Sequence, residues 1–207
     1  MLRVLVVDNR DSFVYNLVQL LHEDGRCCYE VHREGELPLE RLDEFNALLL
    51  SPGPGLPSEA PEMMQLISQC APTHSILGIC LGHQAIAQAY GAELKQLGRP
   101  LHGHSSRLEI CSDDPLLSHL PPETTIGRYH SWAVDEGTMP QELIPLAWAS
   151  DPDGVRHIMA LRHRQYLVYG LQFHPESMIT SHGAMYLSRW LDLTLEYRPS
   201  SASIPFP

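Results

Sequence analysis

The chain has 207 residues, enough for one α/β domain with a full core. Hydrophobic residues make up 43% and charged residues 19%, the balance of an ordinary globular protein. With 14 basic against 25 acidic residues, a formal charge of -11, it lacks the basic surface that phosphate contacts need, so no nucleic-acid partner is expected.

Leu2 to Val7 is a compact apolar run and predicts a buried strand. That run is too short for a signal peptide or a membrane span, and no membrane association is expected. Asp11 or Ser12 is placed to cap a helix whose apolar residues Phe13, Leu17, Leu20 and Leu21 recur at helical spacing, with Gly25 to end it. Strands are predicted at Cys28 to His32 and at Ala47 to Leu50, the second running straight into Ser51-Pro-Gly-Pro-Gly55. Pro61 suits the first turn of a helix reaching about Cys70. A fourth strand, Ser75 to Ile79, leads into a helix from Leu81 to Tyr90, with Gly91 at its C-terminal cap.

Strands alternating with helices imply a parallel sheet covered on both faces. After residue 91 the pattern changes. Arg107 to Cys111, Thr124 to Gly127, Leu146 to Ser150, His157 to Arg162 and Val168 to Phe173 read as strands separated by turns, a smaller antiparallel region. A last helix is expected from about Ser181 to Tyr197. The fold class is therefore α/β: a single domain over residues 1–197 with a central, mostly parallel sheet flanked by helices, and a mobile tail over 198–207.

The five cysteines are odd in number and irregularly spaced, and Cys27 adjoins Cys28. Neither a disulfide framework nor a zinc pattern fits them, and a reducing cytoplasm does. His102 and His104 lack a third ligand at useful spacing, so they are expected to be loop histidines, with no metal and no cofactor.

Cys80 differs from the other four. It sits between Gly78 and Gly82 where a strand ends and a helix begins, the cysteine counterpart of a strand-turn-helix nucleophile elbow. The sharp turn lifts the sulfur above the sheet, and small residues at two positions before and after let strand and helix pass closely. The helix N-terminus favours negative charge at the sulfur. The N–H of Leu81 is aimed where an oxyanion would form. A base is needed, and His174-Pro175-Glu176 follows directly on an apolar strand whose carboxyl end should lie beside that of Cys80. There Glu176 would hold the imidazole of His174, as a carboxylate does in a Ser-His-Asp triad.

Gly78-Ile-Cys-Leu-Gly-His-Gln84 together with Gln172-Phe-His-Pro-Glu-Ser177 resembles the class I, triad-type glutamine amidotransferases. Val7-Asp-Asn-Arg-Asp-Ser-Phe13 and Arg128-Tyr-His-Ser131 are similar to segments of the small subunits of anthranilate synthase and aminodeoxychorismate synthase, and the resemblance runs from about residue 2 to residue 195. It implies a flavodoxin-like sheet, L-glutamine as substrate and a chorismate-binding synthase subunit as partner. It further implies that Cys80, His174 and Glu176 form the triad, and that Gly53, Pro54 and Gly55 line the glutamine site, with the Gly53 region giving a second oxyanion donor. By the same resemblance Gln84 hydrogen-bonds the substrate, and Ser131 and Trp132 hold its α-amino and carboxylate end through backbone. Trp132 stands where leucine is common, His104 where many members carry lysine, and Arg10 where an aromatic is commoner. Arg162-His-Arg-Gln165 and Ala85-Ile-Ala-Gln-Ala89 look more like the folate-directed subunits, which favours an aminodeoxychorismate-directed or shared subunit over one serving anthranilate alone. A free-standing cysteine hydrolase of γ-glutamyl compounds and a regulatory subunit without catalysis stay open as alternatives.

Overall fold

A computed structural model describes residues 1–197, and the expected tail lies outside the described residues. In chain order it contains β1 (Leu2–Asp8), α1 (Val14–Asp24), β2 (Cys27–Arg33), β3 (Ala47–Leu50), α2 (Pro61–Cys70), β4 (Ser75–Ile79) and α3 (Leu81–Ala89). Then follow β5 (Leu94–Gln96), β6 (His104–Arg107), β7 (Glu109–Ile110), β8 (Thr125–Arg128), β9 (Trp132–Val134), β10 (Leu143–Ser150), β11 (Arg156–His163), β12 (Val168–Leu171) and α4 (Gly183–Glu196). Among the described residues no helix is long and apolar enough to cross a membrane.

The main sheet runs β2-β1-β3-β4-β12-β11-β10-β7. Its first five strands are parallel and the rest antiparallel. The parallel part has the flavodoxin-like order. Alternation along β1 separates two cores: Val4 and Val6 face one, with Leu17 and Leu21 of α1 and Trp190 of α4, while Leu5 and Val7 face the other, with Leu66 and Ile67 of α2 and Ile86 of α3.

Glycines decide how closely α3 lies on the sheet. A Cβ at Gly78 would stand 2.4 Å from the Gly82 backbone, one at Gly82 would stand 2.6 Å from the Leu50 carbonyl oxygen, and one at Gly170 would stand 2.8 Å from the His83 ring. Gly78 and Gly170 are register partners on β4 and β12, so the two strands form a bare step on which the first turn of α3 rests.

Several boundaries differ from the sequence expectations. Asp11 caps no helix; its carboxylate accepts the N–H of Phe13 at 2.7 Å, a local Asx turn, and α1 starts at Val14. Phe13 thereby leaves the apolar stripe of α1. The span from Arg107 to Cys111 is not one strand, because β6 pairs with β8 while β7 joins β10, and the chain changes sheets at Leu108. His104 opens β6 instead of lying in a loop. The last helix starts at Gly183, since Ser181 is engaged by the backbone and hydroxyl of Thr125. Strand β5 went unread because three residues, Leu-Lys-Gln, carry no periodic signal; only pairing with β9 makes it a strand.

Candidate active site

Four neighbouring strand ends, β1, β3, β4 and β12, deliver the candidate residues to one edge of the sheet. At the end of β4, Cys80 adopts φ 51 and ψ -96, a left-handed conformation that costs a non-glycine residue about 1–3 kcal/mol. The flanking contacts hold it there: its N–H donates to the Leu171 carbonyl at 2.8 Å, and the Gly78–Gly82 contact leaves the turn no room to relax. Leu81 is the first residue of α3, so its N–H has no acceptor within the helix.

At the end of β3, Ser51 is pinned by Asn9 from the end of β1. The Asn9 backbone N–H donates to the Ser51 hydroxyl and its side-chain amide to the Ser51 carbonyl, each at 2.9 Å. Gly53 then passes so close to the elbow that a Cβ would stand 2.7 Å from the Leu81 side chain. Only a glycine lets this loop approach the backbone of the elbow.

Past the end of β12, His174 and Glu176 form a buried pair, Nδ1 to Oε1 at 2.6 Å, with side chains 3% and 0% exposed. The turn that carries them is anchored at both ends. The His174 N–H donates to the Gly127 carbonyl, Thr180 donates its hydroxyl to the His174 carbonyl, and a Cβ at Gly183 would meet the Pro175 carbonyl oxygen. With Nδ1 taken by Glu176, Nε2 is the ring atom left to act on Cys80. Burial by itself would lower the basicity of this imidazole, but the negative charge of a Cys80 thiolate and of Glu176 outweighs it and lifts His174 to about 10.

A cavity of about 300 Å³ opens in front of Cys80. Gly53, Pro54, Gly55, Cys80, Gln84, Ser131 and Trp132 line it, while the Leu81 side chain lies against Gly53 and lines the neighbouring cleft instead. His174 and Glu176 do not line it; His174 meets it through its interaction with Cys80. Gln84 uses its amide nitrogen twice within the protein, donating to the Trp132 carbonyl at 2.9 Å and to the Gln172 carbonyl oxygen at 3.1 Å, so its own carbonyl oxygen is what it can offer a ligand. The Trp132 carbonyl also receives His130 Nδ1 at 2.8 Å. Both of its acceptor directions are therefore filled by protein.

Sequence reasoning left some residues without a role. His102, Tyr129 and His130 also line the cavity. Phe13 and Tyr129 put their rings 5.5 and 5.0 Å from the His174 ring, edge on, and Tyr129 shares a hydrogen bond with Ser177 at 3.0 Å. Fully buried Arg128 donates Nε–H to His130 Nε2 at 3.2 Å, while burial lowers Arg128 to about 10 and His130 to about 3. Gln172 stands two residues before His174 in the chain, but β12 ends at Leu171, and only the tertiary structure turns its amide toward Cys80. The signal for Arg128 and His130 was absent, because nothing local says that a strand ending in Arg will be buried. Arg10 is exposed in a neighbouring cleft with Asn9, Glu34 and Glu59, and His104 pairs with Arg128 in β6 and β8; neither reaches Cys80. Among the described residues no group of three or more His, Cys, Asp or Glu side chains is placed to hold a metal ion.

Comparison with known proteins finds similar sequences and a similar fold. The profile of the family described as glutamine amidotransferase class-I matches residues 5–193. Anthranilate synthase component 2 of Thermus thermophilus is 41% identical over 193 residues, covering 92% of each chain. The protein of the same name from Lactococcus lactis is 37% identical, covering 96% of this chain and 98% of its own. Among solved structures, a glutamine amidotransferase from Thermotoga maritima superimposes with a TM-score of 0.71 at 20% identity, over 94% of this chain and 83% of that one, a likeness of fold.

Proposed function

The chain belongs to the class-I glutamine amidotransferase family, an enzyme of glutamine hydrolysis, and we propose that it supplies ammonia to a chorismate-aminating synthase subunit through a Cys80, His174 and Glu176 triad. The observation that carries the triad is the buried 2.6 Å pair of His174 and Glu176 beside a cysteine held at the mouth of the cavity. The Cys80 thiolate attacks the side-chain carboxamide of glutamine, forming a C–S bond and moving the carbonyl electron pair onto oxygen. The N–H of Leu81 and the Gly53 backbone receive that charge. His174 gives its proton to the nitrogen as the C–N bond breaks, leaving ammonia and a glutamyl thioester. His174 next takes a proton from water, whose oxygen attacks the thioester. The C–S bond then breaks, releasing glutamate and the thiolate.

The substrate's α-carbon end faces Ser131, Trp132 and the carbonyl oxygen of Gln84. Since the Trp132 carbonyl is already doubly engaged, its part is to hold Gln84. Cys80→Ser tests the reading. Glutamine-dependent synthesis by the assembled enzyme should vanish while synthesis fed with an ammonium salt persists; a normal rate with glutamine would overturn the triad. A strong glutaminase rate unchanged by any synthase subunit would favour the free-standing hydrolase.

For the partner, relatives named anthranilate synthase component 2 support an anthranilate-forming synthase. An aminodeoxychorismate-forming partner, alone or shared, rests on the two segments that resemble folate-directed subunits. Residues Ala85, Ile86 and Ala87 are buried core, and Arg162 to Gln165 lie at the end of β11 opposite the catalytic edge, so neither segment touches the chemistry. Competition between the two synthases for limiting subunit, with each product measured from glutamine, decides it: activation of the anthranilate partner alone rules out the shared reading.

A further inference from the structure

We propose that Gln172 is a further catalytic group, whose side-chain N–H is directed at the Cys80 sulfur by a chain of hydrogen bonds anchored on the Trp132 carbonyl. The inference rests on the reading of Cys80 as nucleophile.

Gln172 is fully buried, and its Nε2 lies 3.6 Å from Cys80 Sγ. A primary amide can face either way, since its two ends differ only in donating or accepting. Here the direction is forced. Arg128 has only donors, so the His130 Nε2 that meets its Nε must accept, and His130 Nδ1 must carry the proton. That N–H points at the Trp132 carbonyl, which can only accept. Gln84, meeting the same carbonyl, must present nitrogen, and its second N–H requires oxygen from Gln172. The remaining end of Gln172, its NH2, is left facing sulfur. Reversal would set a carbonyl oxygen against a thiolate and break the Gln84 bond as well.

A donor at this position serves two moments of the reaction. It holds the anionic sulfur toward the cavity before attack, and it receives charge again when the C–S bond of the second tetrahedral intermediate breaks. The role is separate from the oxyanion donors, which act on the carbonyl oxygen, and from His174, which moves the proton.

The test compares Gln172→Leu and Gln172→Glu. Cys80 alkylation by iodoacetamide is followed by peptide mass spectrometry, with the exposed Cys28 and Cys111 as internal references. The kcat and KM for glutamate release are measured alongside. In Gln172→Leu both the Cys80 alkylation rate and kcat should fall by about 10- to 100-fold, as for loss of a hydrogen bond to a charged group. KM should change by less than about threefold, because the lost contact is not to bound glutamine. Gln172→Glu, similar in shape but an acceptor when ionised, should be at least as damaging. Wild-type alkylation in either variant, or Glu milder than Leu, would overturn the proposal. Should neither variant fold, the side-chain amide signals of the 15N-labelled wild type decide: one slowly exchanging glutamine NH2 must shift when Cys80 is alkylated, and no shift overturns the proposal. If Cys80→Ser retains activity, the nucleophile reading has failed. If it is inactive while the Gln172 variants match wild type, only this inference has failed.

Discussion

The cavity has two unlike walls. On the elbow side, Gly53, Gly55 and Cys80 shape it, and the fit depends on side chains that are missing: contacts of 2.4 to 2.6 Å would follow a Cβ at Gly78, Gly82 or Gly53. On the other side, the Trp132 carbonyl is held by the side chains of Gln84 and His130, with buried Arg128 bonded to Ser106, to the Ser150 carbonyl and to His130. The first wall is steric, and its residues lie within short stretches of chain. The second is electrostatic, and its residues come from four separate strands and the turns between them. A steric wall fails abruptly when atoms are added, whereas a polar wall fails by degrees as partners or protons are lost.

Adding one carbon to the elbow should do the greatest damage. Gly82→Ala puts a Cβ 2.6 Å from the Leu50 carbonyl oxygen, and should cost about 3 kcal/mol by urea unfolding and at least about 100-fold in glutamine turnover. Gly98→Ala, with nothing within 4 Å, should leave both within error and serves as the control. If the two variants match, the steric account of the elbow is wrong.

Glu176→Gln tests orientation. The amide keeps the shape of the 2.6 Å pair but loses the carboxylate charge that supports the imidazolium, so kcat should drop by about 10- to 100-fold, less than for His174→Ala. Steady-state kinetics of both variants measure this, and a Glu176→Gln enzyme as fast as wild type contradicts it.

On the polar wall, Arg128→Met leaves His130 Nε2 without its donor and frees the ring to adopt the other tautomer. KM for glutamine should rise about tenfold with kcat within about threefold, because the loop that holds the substrate loosens while the Trp132 carbonyl, an acceptor whatever the His130 tautomer, still orients Gln84 and through it Gln172 at the sulfur. A larger loss in kcat than in KM would move Arg128 to the chemical step.

The effect confined to acid pH is in stability and leaves turnover near neutrality aside. His83, fully buried under the elbow, is lowered by burial to about 4, a backbone hydrogen bond to Gly170 offsetting only part of the cost. The unfolded chain therefore binds a proton there near pH 6.5 that the folded chain refuses, and stability falls as pH drops from about 6.5 toward 4. Replacing it, His83→Leu, should flatten that acid limb by up to about 1.4 kcal/mol per pH unit, measured from urea midpoints at pH 7 and pH 5. An unchanged slope would mean that His83 takes up a proton in the folded state.

Much of this was legible in the chain. Gly78, Cys80 and Gly82 announce a tight strand-to-helix turn because Gly78 and Gly82, four residues apart, must meet across it. Gly25 reads as a helix end because the residue that closes a helix favours the left-handed conformation that glycine adopts freely, and it takes φ 74 there. Of the boundaries that went astray, Leu108 and Ser181 are places where a side chain or backbone group finds a distant partner that no sequence window contains, whereas Phe13 is set by the local turn of Asp11.

The sequence alone therefore determined the parallel sheet, the elbow and the pairing of a histidine with a carboxylate two residues on, since hydrophobic period and local sterics act within a few residues. Tertiary structure alone decided what surrounds them. Arg128 is a buried donor because β8 packs beneath Ser150, Gln84 points at Trp132 because β9 pairs with β5, and Gln172 faces Cys80 because β12 lies in register beside β4. Hydrogen bonds across 48 and 92 residues of chain, Gln84 to Trp132 and Gln172 to Cys80, have no local precursor; they exist only once the sheet has closed and shut water out.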